Sequence, residues 1–546
     1  NGEVFNYVEL RNELIAKGRR FRTGSDTEVI LTAYEHWGTS CVSHFNGMWA
    51  FALWDSRRQQ LFCSRDRLGE KPLYYAEHDG TFVFGSEIKT LWAYGIPKEI
   101  NTEVLDAYLC FTYIPAPHTF YKNIMKLEAG HNLLITRNST HKIQYWNVDV
   151  DTTHYEPINE RRLHDKFSYL FRDSIQLRMR SDVPFGAFLS GGLDSASIVA
   201  EMSSIQQSPV QTFTIGFDES GYDERELARS VSTAFGTQHH EYVITPEEVQ
   251  EAIQHLAWHY DEPFGDATAL PTYIVSKIAR KHVTMVLTGD GGDEALSGYT
   301  IHQGEMFAQQ LGYVPKPLRS ILPYITNTAA RIAPQQFQKK AVRLHDIIHS
   351  SVGGFQQRLI HKQNGFRKHE RSDLLIESNN IRPVEDIVHD ILRPVRHLDT
   401  ISQLNYWLLK VALPDDMLTK SDRATMAHSL EARTPFLDYR LIELLAPLPM
   451  KYKMKGYTRK HILRSTIATQ LPPELLSAKK RGFVLPLDEW LRNGAVQTVL
   501  HKANRAADAG LVRSSAVERI TREHTAGTRN AAEAVWTLAM LGEALP

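Results

Sequence analysis

Cysteine is scarce in this chain. Cys41, Cys63 and Cys110 are the three present among 546 residues, too few and too far apart for a disulfide framework or a metal cluster. They fit a reducing, cytoplasmic setting. No run of ~18 apolar residues occurs, so no membrane span is expected. No charged and then apolar leader opens the sequence, which argues against secretion. Excess charge of either sign is missing too. Lys and Arg total 62 against 63 Asp and Glu, which gives no basic face for nucleic acid or anionic lipid. An initiating methionine is also lacking. The chain begins at Asn1 and runs at once into patterned sequence, so the expectation is a piece of something longer. The Asn138-Ser139-Thr140 triplet matches a glycosylation sequon but reads as a hairpin turn.

What is present is the composition of a soluble globular enzyme, 42% hydrophobic and 23% charged, long enough for two or three domains. Up to about Asn147 the sequence reads as strands with short turns: Met48–Trp54, Gln60–Ser64, Pro72–Tyr75 and Gly80–Gly85. Two helices interrupt them, at Tyr7–Lys17 and Asp26–Trp37, each with apolar residues three and four apart. This predicts packed sheets with helices outside. A polar stretch without clear period, from Asn147 to Glu160, reads as a linker. Beyond it the rhythm changes. Short apolar strands at Phe185–Leu189, Thr212–Phe217, Glu241–Ile244 and Thr284–Leu287 alternate with helical stretches, the pattern of a parallel sheet with crossover helices. From about Gly304 the pattern is largely helical. The domain reading is 1–147, a linker over 148–164, and 165–546.

Two glycine-rich loops carry chemistry. Leu189-Ser190-Gly191-Gly192-Leu193-Asp194-Ser195 sits between a strand and a helix. Its glycines let backbone N–H groups approach an anion, and the helix N-terminus behind it adds a positive dipole end. Ser190 and Ser195 offer hydroxyls to phosphate oxygens, and Asp194 offers a carboxylate to an accompanying Mg2+. The Gly-Lys-Ser/Thr of a Walker loop and the Rossmann glycine spacing are both absent. Thr288-Gly289-Asp290-Gly291-Gly292-Asp293-Glu294 also follows a strand. Ligands bind at the carboxyl ends of parallel strands, so the second loop is expected to form the opposite wall of a magnesium-pyrophosphate site. His239 and His240 are adjacent in a strand and face opposite ways, a structural pair rather than a metal site.

These loops resemble the synthetase half of the glutamine-hydrolysing asparagine synthetases, in the pyrophosphatase-loop superfamily. Asp261-Glu262-Pro263-Phe264, Asp415 to Arg423, Ser429 to Asp438 and Arg459 to Arg464 are similar to further blocks of that family. The resemblance implies a ligase that activates aspartate with ATP and Mg2+ as β-aspartyl-AMP and amidates it with ammonia taken from glutamine. It implies adenosine contacts at Leu189 and Ile215, nucleotide contacts at Thr288 and Gly289, and magnesium on pyrophosphate at Asp194 and Asp293. Asp290 takes the place of the acidic residue linked to adenylate formation, and Lys460 that of the clamp on the phosphates. Glu431 and Arg433 read either as a buried ion pair or as groups in the substrate pocket.

The first part is similar to the family's class II glutamine amidotransferase domain, through Asn1-Gly2-Glu3, Gly24-Ser25-Asp26, Asn46 to Ala52, Arg65 to Gly69 and Ser86-Glu87. The implied fold class is α/β plus α+β: an N-terminal-nucleophile hydrolase sandwich, incomplete here, before a parallel sheet with a helical C-terminal region. Asn1 and Gly2 take the oxyanion-hole positions, and Glu3 and Asp26 hold the glutamine α-amino group. The family's nucleophile is a terminal cysteine whose own amine assists proton transfer, and Asn1 cannot replace it. Either the chain is a fragment or its amidotransferase half is degenerate. Rival readings are a relative that amidates or cyclises another carboxylate (a β-lactam synthetase, a peptide cyclase, a cell-wall amidating enzyme) and a non-catalytic nucleotide-binding relative. The expected partners are the small molecules aspartate, glutamine or ammonia, and ATP, without nucleic acid or membrane, and a homodimer is the assembly considered.

Overall fold

The structure is a computed structural model. It describes residues 1–545 except 154, 156–158, 218–223, 333–340, 342–347, 349–350, 377–379, 479–484 and 493–496. Part of the linker expectation therefore lies outside the described residues.

The first half contains eight described strands: β1 (Gly2–Val4), β2 (Gly47–Asp55), β3 (Gln60–Arg65), β4 (Tyr74–His78), β5 (Thr81–Gly85), β6 (Met125–Lys126), β7 (His131–Thr136) and β8 (Ser139–Gln144). They make one antiparallel sheet in the order β1-β2-β3-β7-β8 and a smaller one, β5-β4-β6. The two-residue period of the strands explains the layering. Along β2, Trp49, Phe51 and Leu53 face a cluster with Leu10, Leu14, Val29 and Ala33 of the helices Tyr7–Ala16 and Asp26–Trp37. The intervening Ala50 and Ala52 face the second sheet, through Cys63, Leu73, Leu133 and Tyr75. Small residues thus lie on the sheet-facing side of β2 and large ones on its helix-facing side. The Asn138 triplet lies at the β7–β8 turn, where Thr136 pairs with Ser139, as expected.

The linker reading is too long at its end. The helix Glu160–Arg178 already takes residues 160–164, with Leu163 fully buried. Asn159 caps it by accepting from the Arg161 N–H. The missing signal was a cap of ordinary polar residues inside a polar stretch.

The third sheet, in the second half, is parallel: β9 (Phe185–Phe188), β10 (Gln211–Gly216), β11 (Gln238–Val243), β12 (Met285–Leu287) and β13 (Glu431–Arg433), in the order β11-β10-β9-β12-β13. The helices Leu193–Ile205 and Arg225–Phe235 cross between its strands. The order reverses around β9, so the loops after β9 and β12 open side by side at the carboxyl edge. Among the described residues, no helix is long and apolar enough to cross a membrane.

The halves share buried charges. Lys71 pairs with Asp422 at 2.8 Å, the two side chains only 3% and 8% exposed. Lys126 pairs with Glu262 at 2.7 Å, and Lys89 with Asp261 at 2.8 Å. Arg423 donates to the Ser86 carbonyl and pairs with Glu87. Asn46 donates to Asp438.

Candidate active site

The first loop leaves β9 at Leu189, whose N–H donates to the Phe213 carbonyl at 2.9 Å. Leu189 and Ile215 are both buried there. The chain then turns through Ser190–Gly192 into the helix Leu193–Ile205, whose N-cap Gly192 offers no side-chain acceptor. The first N–H groups of that helix are left for an anion. Ser190 and Ser195 meet hydroxyl to hydroxyl at 3.2 Å, so both oxygens edge the same concavity.

The second loop runs from β12 into the short helix Gly292–Ala295 and presses on the first. A Cβ at Gly292 would stand 2.8 Å from the Asp194 Cγ, and one at Gly298 would stand 1.9 Å from the Asp293 Oδ1 and 2.2 Å from the Lys460 Cε. Glycine at both positions is what lets the two loops and Lys460 converge. Lys460 adopts the left-handed conformation, φ 57°, at a cost of roughly 1–2 kcal/mol. Its Nζ touches the Asp194 Oδ2 and, at 2.6 Å, the Asp293 Oδ1. Burial lowers its basicity, but Asp194 and Asp293 outweigh burial and hold the ammonium above the usual lysine range. Sequence reasoning expected the two carboxylates to meet across the cleft, and the structure brings them to one cation.

Asp290 lies beside this cluster. It accepts from the Thr288 hydroxyl at 2.9 Å and from the Ser421 hydroxyl at 2.6 Å. Lys420, one residue earlier on the helix Thr419–Met426, donates to Asp266 and Thr268. Burial first, then Asp266, pushes the Asp416 carboxyl well above its usual range. Burial and Asp293 push Glu294 up to about 7, and it accepts from the Tyr299 hydroxyl at 2.6 Å. The sequence reading assigned no role to Ser421, Lys420, Asp266, Glu294 or Gly298. The only signal for the first two was their place in the Asp415–Arg423 block.

The donor set suits magnesium. Asp194 and Asp293 present hard carboxylate oxygens to one point, and Mg2+ characteristically takes one or two protein carboxylates together with substrate phosphates. Lys460 is bound to both carboxylates, and Lys420 is held by Asp266 and Thr268.

Glu431 and Arg433 are not at this cleft. They pair with each other at 2.6 Å, and Arg433 donates to the carbonyls of Arg178 and Arg180 and approaches Glu3 at 3.7 Å. The two residues form the ion pair and line a separate pocket with Glu3, Tyr7 and Arg180. Although β13 runs alongside β12 towards the glycine loops, the Arg433 side chain turns back to the first half.

There Asn1, Gly2, Glu3 and Asp26 converge. Gly2 (φ 107°) pairs with Trp49 of β2. The Asp26 carboxylate accepts from the Val4 N–H at 3.1 Å, and the Asn1 side chain reaches Ser86. Burial, then Asp26, pushes the Glu3 carboxyl up to about 7 against the pull of Arg433. Cys41, Cys63 and Cys110 are buried thiols, each pushed up to about 12 mainly by desolvation, which leaves no thiolate for nucleophilic attack.

Comparison with known proteins bears on the whole chain. The family description "Asparagine synthase" matches residues 166–545, and "Glutamine amidotransferase domain" matches residues 1–146. Asparagine synthetase [glutamine-hydrolyzing] 1 of Bacillus subtilis is 32% identical over 98% of this chain and 83% of its own. A putative asparagine synthetase of Mycobacterium bovis is 33% identical over 98% and 82%. A putative asparagine synthetase 2 of Methanocaldococcus jannaschii is 43% identical over 59% and 62%. With both of its halves matched in order and relatives aligned along nearly its full length, the chain belongs to the asparagine synthase family.

Proposed function

We propose that the chain is a ligase that converts aspartate to asparagine with ATP through β-aspartyl-AMP, in a pyrophosphatase-loop domain fed with ammonia by an N-terminal-nucleophile amidotransferase half. The observation that carries this is the convergence of Asp194, Asp293 and Lys460 between two glycine loops at the carboxyl edge of the parallel sheet.

The loop Ser190–Ser195 and the helix behind it seat the phosphates, with Leu189 and Ile215 against the adenosine. Asp194 and Asp293 would hold magnesium, which would supply positive charge to the pyrophosphate oxygens. Lys460, tied to both carboxylates, is aimed at the place where negative charge gathers as the aspartate carboxylate attacks the α-phosphorus. Adenylation turns a poor leaving oxygen into AMP, and ammonia then displaces it. Asp290, fixed by Thr288 and Ser421, flanks the reacting carboxyl. In the first half, Asn1 and Gly2 supply oxyanion donors, while Glu3 and Asp26 anchor the glutamine amine.

Exchange of labelled pyrophosphate into ATP tests the reading. Aspartate should support it and glutamate should not, and ammonium should then give asparagine. Exchange without any acid, or as rapid with glutamate as with aspartate, refutes the substrate. The chain of residues 1–546 should release no glutamate from glutamine, because its three thiols are buried.

A further inference from the structure

The balanced total of charge predicts no face for anionic lipid, but that total averages over a local excess. Residues 306–345 include six Lys and Arg residues and not one Asp or Glu. The helix Lys316–Ile332 lies within this stretch and carries three of those cations, Lys316, Arg319 and Arg331.

The apolar residues of this helix are on the outside. Leu318, Ile321, Tyr324 and Ile325, with Tyr313 in the turn before them, are each between 50% and 89% exposed. Leu318, Ile321 and Ile325 recur three and four residues apart, so they form one stripe along the helix. Thr326, about 100° further round, is buried and marks the side turned to the protein. A helix of a globular protein usually turns such a stripe inward. Five large apolar side chains left outside between Tyr313 and Ile325 mark a surface that something covers.

Charge decides what covers it. A second copy of the chain meeting this face would set a helix with three cations and no acid against an identical one, like charge on like. A convex row of side chains also offers no groove to a particular peptide, whereas a fluid surface closes round each residue. Anionic lipid answers both features. Its acyl chains take the apolar stripe, its phosphates take the cations, and tyrosines favour the boundary between them. At about 1.5 Å per residue the helix's 17 residues run about 25 Å, short of a ~30 Å hydrocarbon core. It therefore lies along the surface.

We propose that the helix Lys316–Ile332 is a docking face for an anionic phospholipid surface, with Leu318, Ile321 and Ile325 entering the boundary between headgroups and acyl chains. None of these residues belongs to the glycine-loop cleft, so the inference stands apart from the proposed reaction.

Co-sedimentation of the full chain with phospholipid vesicles tests this. Vesicles of phosphatidylcholine with about one-third phosphatidylglycerol should pellet at least about fivefold more protein than phosphatidylcholine alone at about 0.1 M salt. Raising the salt to about 0.5 M should remove most of that difference. Leu318→Asp combined with Ile325→Asp should abolish pelleting, and Arg319→Glu should weaken it about threefold or more. The double variant alters exposed positions alone, so its circular dichroism and ATP–pyrophosphate exchange should match the parent's. Equal pelleting with and without the anionic lipid overturns the proposal, as does pelleting that the double variant leaves intact. A parent that ignores vesicles but sediments as a dimer, split to monomers by the same double variant, assigns the face to a second copy and overturns it too.

Discussion

Glu294 is an acid held where its charge is unwelcome, and replacing it with glutamine should make the protein more stable. In the folded chain burial and Asp293 raise it from 4.5 to about 7. A carboxyl raised on folding binds its proton more tightly in the folded state, so stability falls as pH rises from the unfolded value towards the folded one. The window is pH 4.5 to 7. A difference of about 2.5 units, at 1.36 kcal/mol each, puts the cost of ionising Glu294 at about 3 kcal/mol at pH 8 and below about 1 kcal/mol at pH 5. Gln in its place has a carbonyl oxygen that still accepts from the Tyr299 hydroxyl. Urea unfolding of Glu294→Gln and the parent at both pH values checks this. The variant should gain about 2 kcal/mol more at pH 8 than at pH 5. A gain independent of pH, or a variant less stable at pH 8, refutes the reasoning. Stability gained at an active-site acid commonly costs activity, so exchange should fall in the same variant.

Asp194→Asn removes a charge from the carboxylate pair and should lower ATP–pyrophosphate exchange far more than the melting temperature. Lys460→Ala should leave ATP affinity within a few-fold by equilibrium dialysis while slowing adenylate formation about 100-fold. Equal losses in affinity and rate would mean it only binds ground-state phosphate. Gly298→Ala places a methyl on the Asp293–Lys460 contact and should cut exchange about tenfold or more with unchanged circular dichroism. Asp422→Asn strands Lys71 in the buried interface and should cost about 3–5 kcal/mol in chemical unfolding, whereas Lys71→Met with Asp422→Leu should recover most of it.

The two glycine loops were legible because each packs its glycines and carboxylates into seven residues between a strand and a helix. The helices Tyr7–Ala16 and Asp26–Trp37 were legible from periodicity. The strand β13 was not: three residues with Glu and Arg at its ends carry no apolar signal, and its pairing with β12 joins residues far apart in sequence. Glu431 and Arg433 were left between two readings for a related reason. Which way an arginine turns from an edge strand depends on carbonyls contributed by a distant helix end, here Arg178 and Arg180. Ser421 reached Asp290 across 131 positions, a contact that tertiary packing alone creates.

The ion pairs across the junction also bear on how this architecture can be recombined. Lys71, Lys89 and Lys126 of the first half are each neutralised by an acid of the second, and Arg423 of the second is held by Ser86 and Glu87 of the first. Grafting the first half of one relative onto the second half of another would bring together surfaces whose charges were not selected as partners. Each mismatch would bury a lone charge. Successful chimaeras should therefore be those that carry the Asp261–Glu262 and Asp422–Arg423 pairs along with the amidotransferase half, with the seam drawn by electrostatic partnership rather than by the chain boundary near residue 147.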